Sequence, residues 1–144
     1  MNESGAVDIE KVEHSGQILA LVLRASFSAS GIEFFTEDHL SQQLGFMSRP
    51  KGYVVQPHRH RHVARTVTRT QEVLFVRRGR VRVDLFLEDG HLVRSVTLNP
   101  GDVIMLIDGG HALEMLERTE IIEVKQGPYT GDMDKEILTP KAKK

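Results

Sequence analysis

The sequence predicts an all-β protein, built as a sandwich or barrel of short antiparallel strands. Apolar and polar residues alternate in short segments from position 52 onward, and this period of two is typical of half-buried strands. Turn-forming residues separate the segments, most clearly the Asp-Gly pair at positions 89–90, which is a strong hairpin signal. Roughly seven or more such strands, with turns about every ten residues, predict a sandwich or barrel, and 144 residues suit a jelly roll.

The first third of the chain predicts two strands and one short helix. The strand candidates are residues 18–24, ILALVLR, and residues 32–35, IEFF, which a serine- and glycine-containing connection joins. Residues 36–45 predict the helix near the N-terminus. Thr36 is a suitable N-cap, Leu40 and Leu44 are four residues apart, and Gly45 is a suitable stop.

The rest of the chain predicts strands almost throughout. The candidates are GYVVQPHRHRH (52–62), QEVLFV (71–76), RVRVDLFLE (80–88), HLVRSVTL (91–98), DVIMLI (102–107), HALEMLE (111–117) and EIIEVKQ (120–126). We expect one domain over residues 1–144, with its core motifs at about 52–125 and an N-terminal extension of residues 1–51. The C-terminal tail is residues 126–144, and its last residues are predicted to fray.

Charge balance and the absence of cysteine restrict the function. The chain has 19 basic and 20 acidic residues and a pI near 6.7, so no charge excess predicts binding to nucleic acid or to an anionic membrane. Without cysteine, metal ligands must come from His, Asp or Glu. The apolar run at 18–23 is too short to span a bilayer, and the acidic start is unlike a signal peptide. We therefore expect a cytoplasmic protein whose partners are small molecules or a second copy.

Three histidines alternate in the segment QPHRHRH at positions 56–62. If the segment is a strand, His58, His60 and His62 share one face, and converging imidazoles suggest a metal ion. The alternative is a solvated polar face among arginines. Glu72 begins another strand on the same face as apolar neighbours, where a carboxylate needs a partner. That partner is a metal ion or, alternatively, an arginine of the preceding loop.

The stretch around these histidines resembles the first sequence motif of the cupin family. In that motif a glycine is followed, with five residues between, by His-x-His, then by a glutamate and, with six residues between, by a second glycine. The matching residues are Gly52, His58, His60, Glu72 and Gly79. Eleven residues separate His60 from Glu72, which is more than the family pattern has, so His62 is a rival ligand.

A second stretch is similar to the second cupin motif, with Pro-Gly-Asp at positions 100–102 and His111 downstream. The combined resemblance covers roughly residues 52–125 and implies a double-stranded β-helix, which is a conical jelly-roll barrel. It also implies one divalent transition metal, bound by His58, His60, Glu72 and His111. Three imidazoles and one carboxylate suit Mn, Fe, Co, Ni, Cu or Zn.

Residues after the histidines and after the last strand are candidates for substrate binding. Arg65 and Arg69 lie in a basic, threonine-rich loop, and guanidinium groups match the geometry of carboxylate or phosphate. Tyr129 follows the last predicted strand and is a third candidate. The alternatives are a solvated loop for the arginines and, for Tyr129, an anchor for the C-terminal extension.

The leading hypothesis is a metal-dependent enzyme that acts on a small polar or anionic molecule, a sugar derivative or an oxoacid, by isomerisation or oxygenation. Glu72 is then either a ligand only or also the catalytic base. The competing hypotheses are a non-catalytic binding or sensor module and a metal-free sugar epimerase with a histidine as base. We expect a homodimer, because residues 18–24 and 32–35 exceed what the core motifs need and are able to extend a neighbour's sheet.

Overall fold

The computed structural model describes residues 8–143 and is built almost entirely of antiparallel strands, which confirms the all-β prediction. The strands are β1 (Glu10–His14), β2 (Gln17–Leu23), β3 (Gly31–Phe34), β4 (Gly45–Ser48), β5 (Glu72–Arg78), β6 (Val81–Phe86), β7 (Leu92–Leu98), β8 (Val103–Leu106), β9 (Gly110–Met115) and β10 (Glu120–Lys125). One turn of 3₁₀ helix follows at Gly131–Met133. β1 and β4 were not predicted, whereas the others overlap predicted strands.

Two sheets pack face to face around one core. One sheet has five strands in the order β1-β2-β8-β5-β10, and the other has three in the order β7-β6-β9. Strands of both sheets contribute side chains to the shared core, which is therefore the interior of a sandwich. The core residues are Val12, Ala20, Val22, Leu74, Val76, Val81, Val83, Leu85, Val96, Leu98, Ile104 and Leu106. β3 and β4 form a separate hairpin.

β6 illustrates how alternation builds this interior. The buried side chains of its inner face are Val81, Val83 and Leu85. On the outer face, Arg82 Nε donates to Asp84 Oδ1 over 3.0 Å, and the Ser95 hydroxyl on β7 donates to the same oxygen over 2.6 Å. Burial acts to raise the pKa of Asp84, but these hydrogen bonds outweigh it and the pKa lies below its ordinary value. Charged groups thus cover the outer face of the three-stranded sheet.

After its first residue, Gln17, β2 is apolar throughout, because both of its faces are covered. Ala20 and Val22 belong to the shared core, whereas Leu21 packs on the opposite face with Met105 and Ile107. β2 also lies between β1 and β8, so it has no free edge. Because both edges of β2 are paired, residues 18–23 are not available to extend a neighbour's sheet. The prediction of a homodimer had assumed that residues 18–24 were available for this.

The predicted helix at residues 36–45 is absent, and turns occupy this stretch. In the β3–β4 hairpin Phe34 pairs with Gly45, and the backbone N–H of Phe35 donates to the carbonyl of Leu44 over 2.9 Å. A ten-residue helix would hold its ends about 15 Å apart, so this pairing excludes it. Thr36, expected to cap the helix, instead accepts a hydrogen bond from the backbone N–H of Leu44 over 3.2 Å.

The predicted strand at residues 52–62 is absent as well. We call residues 49–70 the arm; it contains no strand, and all of its residues are exposed. Pro50 and Pro57 have no backbone N–H to donate to a neighbouring strand. The arm also contains basic residues but no Asp or Glu, so its positive charges have no opposite charge on the arm itself. Alternation alone does not form a strand, because the backbone also needs a neighbouring strand to pair with.

The Pro-Gly-Asp turn before β8 is fixed by the buried carboxylate of Asp102, whose side chain is 6% exposed. Its Oδ1 accepts a hydrogen bond from the backbone N–H of Ala25 over 2.8 Å, and its Oδ2 accepts one from that of Asn99 over 2.8 Å. Arg24 Nη1 lies 3.0 Å from the same Oδ2, and Arg24 Nε lies 2.9 Å from Glu10 Oε1. These contacts join the end of β2 to the turn between β7 and β8.

The C-terminal tail lies against the β6–β7 hairpin. The backbone N–H of Lys141 donates to the carbonyl of Gly90 over 2.8 Å, and that of Leu92 donates to the carbonyl of Lys141 over 3.1 Å. The side chain of Leu138 occupies the space that a Cβ on Gly110 would need. The prediction of a frayed end is therefore wrong for this part of the tail. Across residues 8–143, no helix has the length and hydropathy that crossing a membrane requires.

Candidate functional site

Glu72 and His111 approach each other across the gap between the two sheets. Glu72 is the first residue of β5 in the five-stranded sheet, and His111 is the second residue of β9 in the three-stranded sheet. Their side chains lie 3.3 Å apart, from Glu72 Oε2 to His111 Nε2. Alternation puts Glu72 on the same face as the core residue Leu74, and His111 pairs in register with the core residue Leu85. Both side chains thus lie on the inner faces of the sandwich.

The neighbours of Glu72 stabilise its ionised form. The hydrogen bond with His111 lowers the pKa of Glu72, although partial burial acts to raise it. The positive charges of His111, Lys125 and Lys135 lower this pKa further. Lys125 is also the residue of β10 that pairs in register with Glu72. The site therefore holds Glu72 as a carboxylate, beside the ring of His111.

The other predicted ligands lie on the arm. The rings of His58 and His60 have centroids 5.4 Å apart, and His58 Nδ1 is 2.8 Å from the carbonyl oxygen of Gln56. His62 lies on the same exposed segment. Within residues 8–143, no three His, Asp or Glu side chains come together in a way that could hold a metal ion. The four donors that the cupin resemblance implies are therefore split into one pair on the body and one pair on the arm.

The three predicted substrate-binding residues have different surroundings. Arg65 is exposed on the arm, and Tyr129 is 79% exposed. Arg69 forms an ion pair with Asp108, whose side chain is 7% exposed. Arg69 also lines an open groove of about 400 Å³, together with His14, Gln17, Leu19, Leu87, Glu88, Asp89 and Gly109. In the sequence, Gly109 and Arg69 of this groove stand two positions from His111 and three positions from Glu72, respectively.

Sequence reasoning missed the residues that anchor the arm beside the site. Gln71 is 3% exposed, and its backbone N–H donates to Gln126 Oε1 over 2.6 Å. Its side-chain oxygen accepts hydrogen bonds from the Ser41 hydroxyl and from the backbone N–H of Gln42, both over 3.2 Å. Asp108, in an Asp-Gly-Gly turn, holds Arg69. These partners are distant in sequence, so no local pattern indicates them.

The donors match a transition metal in type but not in arrangement. Imidazole and carboxylate are suitable ligands. The histidine pair on the arm and the Glu72–His111 pair on the body, however, do not converge in a single chain over residues 8–143.

No protein-family model, curated protein or solved structure matches the chain.

Proposed function

We propose that the chain is a metal-dependent enzyme of the cupin type, with a double-stranded β-helix fold, that isomerises or oxygenates a small polar or anionic molecule such as a sugar derivative or an oxoacid. The observation that carries this proposal is the 3.3 Å approach of Glu72 and His111 from opposite sheets. These residues are distant in sequence and hold two of the positions to which the cupin resemblance assigns metal ligands. Partly buried titratable groups that converge in this way are typical of functional sites.

The chemistry of the donors supports the same proposal. Three imidazoles and one carboxylate leave open positions on a six-coordinate ion, where water or a substrate can bind. Glu72 contributes a carboxylate, and His111 contributes an imidazole nitrogen 3.3 Å from it, so the pair offers two donors that transition metals accept. Arg65 adds an exposed positive charge on the arm, which is suitable for attracting an anionic substrate.

Elemental analysis tests whether a metal is present. Protein purified without a metal-affinity tag should contain close to one equivalent of Mn, Fe, Co, Ni, Cu or Zn. His60→Ala and His111→Ala should lose most of it, whereas His91→Ala, which changes a histidine outside the proposed set, should retain it. Absence of metal in the wild-type protein, together with no uptake on reconstitution, would exclude the metal-dependent enzyme.

A metal-free enzyme is the second candidate, because Glu72 and His111 already lie within hydrogen-bond distance of each other. A carboxylate that accepts a hydrogen bond from one ring nitrogen makes the imidazole a stronger base, as a sugar epimerase would need. Screening sugar derivatives and oxoacids with and without a chelator separates the candidates. Loss of turnover with chelator supports the metal enzyme, and unchanged turnover supports the epimerase. Ligand binding without any turnover indicates a sensor module.

Glu72→Gln distinguishes the two roles of the carboxylate. If Glu72 acts only as a ligand, turnover should fall in proportion to the metal content of the variant. If Glu72 is also the base, turnover should be abolished while part of the metal remains bound, because the amide cannot accept a proton at neutral pH. Metal content and turnover rate measured on the same preparation decide between these outcomes.

A further inference from the structure

The arm exposes apolar side chains over its whole length. Tyr53, Val54, Val55, Val63 and Val67 are between 45% and 67% exposed. The arm contains no strand, and none of the ten strands pairs with it. Exposed apolar side chains that follow one another along a chain indicate a contact surface.

The total surface of the chain is also large for its mass. It exposes 10602 Å², whereas a compact folded chain of 16.2 kDa exposes about 7,500 Å². The excess of roughly 3,000 Å² is larger than the ~800 Å² that each partner buries in an interface of standard size. The arm contributes to this excess, because all of its residues are exposed.

A matching uncovered face lies on β9. This strand pairs with β6 on one side only, so its other edge is free. Leu113 pairs with the buried residue Val83, and Met115 pairs with the buried residue Val81. Leu113 and Met115 thus lie on the inner face of the sheet, yet they are 39% and 49% exposed. The interior of the sandwich is open at this edge.

The charges of the two surfaces are complementary. The arm carries six basic residues and no Asp or Glu: Arg49, Lys51, Arg59, Arg61, Arg65 and Arg69. The segment from β9 to the end of β10 carries four glutamates against two basic residues: Glu114, Glu117, Glu120 and Glu123 against Arg118 and Lys125. Opposite charge favours docking of the arm on this edge over other surfaces.

We propose that two copies of the chain exchange their arms, so that the arm of each copy pairs with the free edge of β9 of the other and covers Leu113 and Met115. The arm of a single chain stays off its own body, although Arg69 and Gln71 fix its end there. In a reciprocal exchange, each arm pairs with the β9 edge of the other copy, and the dimer has two-fold symmetry. Neither β9 edge then stays free to pair with a further copy. The homodimer thus forms through the arm.

The exchange also completes the donor set, a consequence that rests on the proposed function. It brings the partner's His58 and His60 to the Glu72–His111 pair, so that each of the two sites takes one half from each copy. A single chain holds its two pairs apart, and the dimer joins them.

Disulfide trapping tests the exchange independently of any metal. The chain has no cysteine, so Val54→Cys, on the same strand face as His58 and His60, with Leu113→Cys introduces the only two thiols. Oxidation at low micromolar concentration should give a covalent dimer on a non-reducing gel. Val54→Cys with Arg94→Cys, which places the second thiol on β7 at the opposite edge of the sheet, should not. A crosslink within one chain, or a wild-type mass of one chain by light scattering, would overturn the proposal.

Complementation of metal binding tests the shared site. His58→Ala/His60→Ala damages the arm half, and His111→Ala damages the body half. If the halves come from different copies, about half of the dimers in a refolded 1:1 mixture contain one copy of each variant. In such a dimer one of the two sites combines an intact arm with an intact body, so the mixture should regain about a quarter of the wild-type metal content. No recovery, from a wild-type protein that binds metal, would show that each copy supplies its own site. A trapped dimer that binds no metal would refute the proposed function but not the exchange.

Discussion

Replacing Asp102 with alanine tests whether the turn before β8 fixes the sandwich. The change removes the acceptor of two backbone N–H groups, those of Ala25 and Asn99, and of the Arg24 guanidinium. A hydrogen bond to an ionised group contributes about 1.5–3 kcal/mol, and the Arg24 pair contributes near 1 kcal/mol because the side chain is partly exposed. Two such bonds and the pair give an expected loss of about 4 kcal/mol in the free energy of unfolding, out of a total of roughly 5–15 kcal/mol.

Urea denaturation followed by circular dichroism measures this loss. With a slope near 2 kcal/mol/M, the midpoint of the Asp102→Ala variant should fall by about 2 M. Arg24→Gln removes the ion pairs of the guanidinium with Glu10 and Asp102 and its hydrogen bond to the carbonyl of Thr97, and should cost about 2 kcal/mol. Glu123→Ala, an exposed control on β10, should change the free energy of unfolding by less than about 0.5 kcal/mol. If Asp102→Ala cost no more than Arg24→Gln, the two backbone hydrogen bonds would contribute nothing and the reasoning would be refuted.

Three further predictions concern other parts of the fold. Leu85→Ala should lower the free energy of unfolding by about 3 kcal/mol in urea, because Leu85 is 1% exposed in the shared core. Gly109→Ala should lower the thermal midpoint more than Gly52→Ala does. Both glycines have a positive φ, so both substitutions strain the backbone. At Gly109 the added methyl group would also overlap the backbone carbonyl of Phe86, whereas Gly52 faces open space. Asp84, with its lowered folded-state pKa, contributes stability that is present above its ordinary pKa of roughly 4 and lost as the pH falls through the lowered value. Asp84→Asn should therefore lose less stability than the wild type between about pH 5 and pH 2, and an equally steep acid limb in both proteins would contradict this.

Local patterns were sufficient for strands whose two faces have different surroundings, or whose faces are both buried. β6 follows from the alternation of Val81, Val83 and Leu85 with charged residues, and β2 follows from its continuous apolar run. β4 was missed because its hydrogen bonds come from β3, and the same pairing excluded the helix that Leu40 and Leu44 predicted. Pairing between segments is a long-range property, so the spacing of residues along one segment does not reveal it.

The same distinction between local patterns and long-range pairing applies to the residues of the candidate site. Glu72 and His111 could be predicted because each begins a well-marked strand, and the resemblance to the cupin motifs connected them. That His58 and His60 join this pair was implied by the cupin resemblance, and that they share one face was predicted from a strand at 52–62, which is absent among the described residues. Lys125 was noticed only as a residue that follows the last strand, and its pairing with Glu72 depends on the register between β10 and β5. The contact of Asp108 with Arg69 of the arm could not be predicted, because the two residues are distant in sequence.

The contact between Leu138 and Gly110 has a consequence for how this sequence is able to vary. Gly110 begins β9 and is in a conformation that other residues adopt, so the strand itself does not demand a glycine there. What excludes a side chain is the leucine from the tail, which occupies the position of the missing Cβ. We therefore expect positions 110 and 138 to change together during evolution, an alanine at the first accompanying a smaller residue at the second. Each substitution alone would be selected against, while the pair would be neutral.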